Sequence, residues 1–241
     1  MPVLEASDLY HQFGKPPQVL RGITLELQPA TMTAVMGPSG SGKSTLLNCL
    51  SGLLEPTSGR IRYRGRDLAQ LNRRQLDRLR RTSWGFIFQA YNLIDALTAI
   101  DNVKLPALFE GSRMPDAVAV EALRRVGLDG LGRRYPDQLS GGQRQRVAIA
   151  RALATRRDLV FADEPTGALD SEARREVMRH LRALPPSGST VVLVTHDPTV
   201  AADATRVLFL YDGAIVGDER GLSAREISDR LVALEARSCP S

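Results

Sequence analysis

The spacing of apolar residues changes several times along the chain, and each change predicts an element. Leu20, Ile23, Leu25 and Leu27 alternate with polar residues, so Leu20–Leu27 is expected to be a half-exposed strand in an antiparallel edge sheet. Residues 31–36 form a short apolar run that leads into a glycine-rich loop. A helix follows through Leu46-Leu47-Asn48-Cys49-Leu50 and stops at Ser51-Gly52. After a turn at Glu55-Pro56-Thr57-Ser58-Gly59, residues 60–63 return as a strand. Residues 67–81 predict one helix, with Leu68, Leu71, Leu76 and Leu79 inward and arginines outward. Residues 84–88 are β-rich and end at Gln89, whereas 95–134 lack strong β signals and read as a mainly helical insertion, clearest at 117–126.

Ser140-Gly141-Gly142 opens a further helix over 143–154, with Val147, Ile149, Ala150 and Leu153 as its buried stripe. Residues 159–162 and Thr190–Val194 are short and wholly apolar, as strands of a parallel sheet covered on both faces must be. A helix over 171–184 separates them. In such a sheet the functional residues gather at the C-terminal strand ends. Residues 207–211, the Asp212-Gly213 turn and 214–216 suggest a hairpin, and 223–234 a short amphipathic helix.

Composition narrows the class. The chain has 241 residues, 43% hydrophobic and 24% charged, which suits one globular domain with room for a subdomain. No run approaches the roughly 18 apolar residues of a spanning helix. The stretch Met1-Pro2-Val3-Leu4-Glu5 has neither a basic nor an apolar leader segment, so a cytoplasmic location is expected. Cys49 and Cys239 lie far apart without metal-spaced neighbours and read as unpaired thiols. The net charge of +5 comes from 32 Lys+Arg against 27 Asp+Glu, which permits contact with anionic lipid or nucleic acid but requires neither. Arg73, Arg74, Arg78, Arg80 and Arg81 read first as a solvated helix face, with anionic lipid as the alternative. His11 and His180 belong to no motif and read as surface residues.

The chemistry concentrates at Gly37-Pro38-Ser39-Gly40-Ser41-Gly42-Lys43-Ser44-Thr45. Glycines at 37, 40 and 42 let successive amides point inward at phosphate oxygens, and the following helix adds its positive end. Lys43 would reach the outer phosphates of a nucleotide and the Ser44 hydroxyl would bind Mg2+. Such a pattern arises by chance in about 1 chain in 100 of this length, so the strand before it and the helix after it matter. Asp163 and Glu164 follow the apolar strand 159–162 and should emerge at the same sheet edge. There Asp163 would hold the metal and Glu164 would polarise an attacking water.

At Leu139-Ser140-Gly141-Gly142-Gln143 the sequence resembles the ATP-binding cassette ATPases, whose signature motif this pentapeptide is. In order, the resemblance takes in an aromatic near the start, the phosphate loop, Gln89 after an apolar strand, the signature, the Asp163-Glu164 pair, Gly167-Ala168-Leu169-Asp170 and His196 after a late strand. It implies a P-loop NTPase fold of class α/β. That fold has a RecA-like core with a mainly parallel sheet, an antiparallel β edge subdomain and an α-helical subdomain carrying the signature. It divides the chain into core (1–90 and 158–222), helical subdomain (91–157), C-terminal helix (223–237) and tail (238–241).

The resemblance also implies roles. Phe13, or Tyr10 failing it, stacks on adenine, although the family more often has Tyr there. Gln89 contacts Mg2+ and the attacking water, Asp170 ends a segment crossing the dimer interface, and His196 senses the γ-phosphate. Ser140, Gly141, Gly142 and Gln143 form a second anion site at a helix N-terminus. The family brings that site to the phosphate loop of another subunit, sandwiching each ATP in a head-to-tail dimer. The expected partners are therefore a second copy or a close relative, and a separately encoded integral-membrane permease, with no nucleic acid. The expected place is the cytoplasmic side of the membrane.

Phe88-Gln89-Ala90-Tyr91-Asn92-Leu93, Leu97-Thr98-Ala99, Asn102-Val103, Leu105-Pro106 and 162–171 look like the branch containing the MacB, LolD, FtsE and bacitracin-resistance ATPases. That resemblance implies export or extraction of a lipoprotein, peptide or drug, or else mechanotransmission in a cell-envelope signalling complex. The apolar run Tyr91, Leu93, Ile94 and Leu97 reads either as local core or as a dock for the permease's coupling helix.

Overall fold

The structure, a computed structural model, describes residues 1–14, 16–167 and 169–236; Ala168, Cys239 and the predicted tail lie outside them. The larger sheet contains β3 (Met32–Met36), β6 (Trp84–Ile87), β7 (Leu159–Asp163), β8 (Thr190–Val194), β9 (Arg206–Tyr211) and β10 (Ala214–Glu219) in the order β10-β9-β3-β8-β7-β6. Among the described residues of this sheet, only the β9–β10 pair is antiparallel. The smaller, antiparallel sheet has the order β2-β1-β4-β5, from β1 (Leu4–His11), β2 (Leu20–Leu27), β4 (Ser58–Tyr63) and β5 (Arg66–Asp67).

Alternation along the strands builds two cores. Met32, Ala34, Met36, Val160, Ala162, Val191 and Leu193 face one side of the larger sheet. They pack with α3 (Ala99–Phe109), α4 (Asp116–Arg125), α5 (Gly141–Leu153) and α6 (Ser171–Arg182). Val35, Phe161, Val192 and Val194 face the other side, against α1 (Lys43–Leu50) and the smaller sheet. Each buried Val or Leu contributes about 1.5–3 kcal/mol, so strands apolar on both faces are held where helices cover both.

Parallel pairing sets the strand ends level. Asp163 lies opposite Val194, and Val194 opposite Val35. The residues after β3, β6, β7 and β8 therefore emerge along one edge, where α1 begins.

Several sequence expectations need correction. The predicted helix over 67–81 is two pieces: a single turn at Leu68–Gln70 capped by Asp67, and α2 (Arg73–Ser83). Asn72 causes the break, because its side chain accepts from the Gln75 amide while the Gln75 side chain accepts from the Asn72 amide, which starts a new helix. No element was predicted over Leu4–His11, yet it is the central strand β1. Asp8 at φ +49° shifts the pairing between Ala6 and Leu9, so apolar positions fall out of alternation. His11 is buried rather than on the surface, with neither ring nitrogen hydrogen-bonded, and His180 is half-buried with Nε2 against the Arg125 carbonyl.

Candidate active site

The loop after β3 fits a backbone cradle because side chains are excluded from it. A Cβ on Gly37 (φ +155°) would stand 2.0 Å from the Leu210 carbonyl oxygen, and one on Gly42 (φ +99°) 2.8 Å from that of Val19. Within this loop the Lys43 ammonium donates to the carbonyls of Gly37 at 2.8 Å and Pro38 at 2.7 Å. Burial holds the Lys43 pKa below the usual lysine value, with Glu164 and Asp163 opposing that shift. A partly desolvated cation of this kind attracts an anion more strongly than a solvated one does.

Asp163 ends β7 and its Oδ1 accepts from the Ser44 hydroxyl at 3.3 Å. Burial pushes the Asp163 carboxyl above its ordinary value; the Ser44 hydrogen bond and the Lys43 charge pull it back, while Glu164 adds to the rise. A hydroxyl and a carboxylate facing each other are hard oxygen donors of the kind Mg2+ takes. The residues present therefore fit a magnesium ion.

Glu164 has left-handed backbone at φ +46°, a conformation that costs a non-glycine residue on the order of 1 kcal/mol or more and that clusters at functional sites. Its amide donates to Val194 O at 2.9 Å, and its Oε1 lies 2.8 Å from His196 Nδ1. The Glu164 side chain is 14% exposed and that of His196 74%, so the imidazole reaches into the cleft from the rim.

These groups line a cleft of about 630 Å³ with Ser39, Gly40, Gly42, Lys43, Ser44, Thr45, Gln89, Asp163, Glu164 and His196 in its wall. Gly37 and Pro38 act through their carbonyls. Ser41 is buried beneath the loop, its hydroxyl without a partner. Phe13 does not line the cleft; it is 61% exposed and stands edge-on to the His11 ring, centroids 4.6 Å apart. Tyr10 has its hydroxyl tucked against Gly22, 3.0 Å from where a Cβ there would sit.

The signature residues are likewise outside the cleft wall. Ser140 caps α5, its hydroxyl accepting from the Gln143 amide at 3.2 Å and Gln143 Oε1 accepting from the Ser140 amide at 2.9 Å. Asp170 caps α6, and the amides of Ala173 and Glu172 hold its carboxyl below the ordinary value.

Sequence reading missed Val19, Gln145, Gly167 and Val194 in the cleft wall, and gave Tyr91 no place there. Gln145 carried a signal: it is a polar residue on the buried side of α5, and its Nε2 donates to Pro165 O at 3.0 Å, beside Glu164. After Gln89 the chain turns through Tyr91 (φ +62°) and Asn92 (φ +48°). Arg151 of α5 donates to both of their carbonyls. Asn102, wholly buried, fixes the rest of this loop, with Nδ2 donating to the carbonyls of Ile94, Leu97 and Thr98 and Oδ1 accepting from the Ile94 amide at 2.8 Å.

A phosphate-type loop, a carboxylate pair and a strand-end histidine share one cleft, an arrangement that suits nucleotide chemistry, and the comparisons decide the family. The ABC transporter family model matches residues 20–167. The chain belongs to the ABC transporter family. This cassette is 48% identical over 223 residues to the macrolide export ATP-binding/permease protein MacB of Marinobacter nauticus, a match covering 90% of this chain and 34% of that protein. It is also 48% identical to the protein of that name from Chromobacterium violaceum, over 92% of this chain and 35% of the other. The cassette thus spans about a third of the length of these curated relatives. Among solved structures it is similar to the ATP-binding cassette MJ0796 in a dimeric, post-hydrolysis state bound to ADP and Pi. The TM-score is 0.86 at 37% identity, covering 91% of this chain and 99% of that one. A second dimeric structure of MJ0796, described as a bacterial ABC transporter cassette, matches at TM-score 0.86 and 38% identity. The P-loop NTPase fold and the ATPase class expected from the sequence are those of its family and structural neighbours.

Proposed function

We propose that this cassette hydrolyses ATP as one half of an ATP-sandwich dimer and powers an integral-membrane permease, carried on a separate polypeptide, for export or extraction of a lipoprotein, peptide or drug. The dimer partner is a second copy or a close relative, and the complex works at the cytoplasmic side of the membrane. The observation that carries the catalytic part is the Glu164–His196 contact at the mouth of a cleft floored by Lys43, Ser44 and Asp163. The dimeric state of MJ0796 and the exclusion of Ser140–Gln143 from this cleft support the sandwich. The name of the MacB relatives supports export. Among the described residues no helix is long and apolar enough to cross a membrane.

In this reading Lys43 and the loop amides hold the β- and γ-phosphates, and the base is offered the exposed face of Phe13, which stands outside the cleft wall against His11. Ser44, Asp163 and Gln89 hold Mg2+, which when bound neutralises phosphate charge. Glu164 accepts the proton of the attacking water, and His196 fixes the Glu164 carboxylate through Nδ1–H and, when doubly protonated, donates from Nε2 toward the γ-phosphate. The apolar groove lined by Trp84, Phe86, Phe88, Leu105, Pro106 and Phe109 is assigned to the permease's coupling helix. Ile94, Leu108 and Phe109 are exposed, whereas Leu93 packs against the core.

The test is Glu164→Gln. With saturating ATP it is expected to dimerise without turnover. A strictly monomeric protein at high concentration overturns the sandwich. Phe88→Asp with Phe109→Asp should abolish capture of the permease while ATP binding survives, and retained capture overturns the groove assignment.

A further inference from the structure

Beside the permease groove, on the other side of α2, lies a second cavity of about 490 Å³. Leu68, Leu71 and Leu79 line it together with Arg64, Arg66 and Arg78. Arg64 is occupied: its Nη2 pairs with Asp158 Oδ2 at 2.9 Å, and its guanidinium stands 5.7 Å from the Tyr63 ring centre. Arg66 and Arg78 are exposed and pair with no described acid. Along α2, Arg74 stands one turn before Arg78 and is exposed and equally unpaired, so Arg66, Arg74 and Arg78 offer three free guanidinium groups on this flank, while Arg73 points to the opposite one. The nearby acids are already engaged. Asp67 caps the Ala69 amide, Asp77 pairs with Arg80 at 2.9 Å, and Asp158 holds Arg64 and the Tyr63 hydroxyl.

We propose that this face of α2, with the arginine-rimmed cavity beside it, binds the headgroups of an anionic lipid bilayer. Charge complementarity selects an anionic partner, and the apolar cavity floor beneath the arginines accepts the uncharged neck of a phospholipid. A single-stranded nucleic acid would need aromatic platforms, and α2 carries none. The orientation rests on the reading above that a permease occupies the groove whose wall includes Arg80 and Arg81 of the same helix, which keeps α2 at the membrane side.

The test is flotation of the full chain with vesicles of phosphatidylcholine alone and of phosphatidylcholine mixed with phosphatidylglycerol. Each arginine at an anionic surface strengthens binding roughly fivefold. The triple variant Arg66→Glu, Arg74→Glu, Arg78→Glu should therefore bind the mixed vesicles at least roughly 100-fold more weakly, with ATP turnover unchanged as proof of folding. If it fails to fold, the corresponding Gln variants replace it. A control that reverses Arg113, Arg175 and Arg225, with the same net charge, should keep most of the binding. Equal binding to phosphatidylcholine alone, equal loss in the control, or displacement of the vesicles by double-stranded DNA overturns the proposal. The vesicles hold no permease, so loss of permease capture with vesicle binding intact overturns only the groove assignment.

Discussion

Glu164 Oε1 and His196 Nδ1 are 2.8 Å apart, so the end of β7 and the segment after β8 share one hydrogen bond at the cleft. Each side chain then serves the other, and their substitutions should not add. Glu164→Gln is expected to lower phosphate release on the order of 10³-fold and His196→Ala on the order of 10²-fold. The double variant should be no slower than Glu164→Gln alone. Steady-state phosphate release checks this, and an additive double variant would show that the pair does not act as a unit.

Gly37 and Gly40 both have positive φ but differ in their surroundings. A Cβ at 37 strikes the Leu210 carbonyl, whereas one at 40 meets nothing within 4 Å. Gly37→Ala should cost more than about 3 kcal/mol, through displaced backbone and φ strain together, and eliminate nucleotide binding. Gly40→Ala should cost about 1 kcal/mol, the strain alone, and fold normally. Urea unfolding and a fluorescent-nucleotide titration separate the two, and equal costs would contradict the geometry.

Asn102 holds the loop that follows Gln89, with four hydrogen bonds to its backbone. Asn102→Ala strands buried carbonyls and an amide at a cost of about 2–4 kcal/mol. Hydrogen exchange at Ile94 should speed up while that of β8 stays slow. Unchanged protection at Ile94 would remove Asn102 from its supporting role.

Burial pushes the Tyr63 hydroxyl, which also donates to Asp158, from 10.0 to about 12, and the Cys49 thiol from 9.0 to about 12. In both groups folding favours the neutral, protonated form. That stability is present below the unfolded values and is lost as pH rises from about 9 to 12. The urea midpoint should fall across that window, and Cys49→Ala combined with Tyr63→Phe should flatten the fall. A wild-type midpoint that stays level across the window would contradict this. Tyr63→Phe itself should cost only about 1 kcal/mol, because Asp158 keeps Arg64 as a partner.

Much of the site was legible in the sequence because a phosphate cradle is a local object. Gly37, Gly42, Lys43 and Ser44 act through adjacent backbone, so their spacing already states their geometry. Strand-end chemistry at Asp163, Glu164 and His196 was legible for a related reason: wholly apolar strands must be central and parallel, which aligns their C-terminal ends. Gln145 and Asn102 were not legible in the same way. Each acts on a carbonyl whose position depends on how two elements pack, Pro165 against α5 and Ile94 against α3.

The order of residues along the chain by itself determined the cradle, the carboxylates, the helix caps at Ser140 and the alternation that fills both faces of the sheet. Caps, turns and periodicity are set by neighbours within a few residues, and the order of residues records them directly. Only the tertiary structure decided that the signature tip stands outside the cleft wall, that Phe13 leans on His11, that Asp8 breaks the phase of β1 and that free arginines gather around an apolar cavity. Those relations join segments far apart in the chain, and they arise from packing, where volume, burial and charge must be satisfied together.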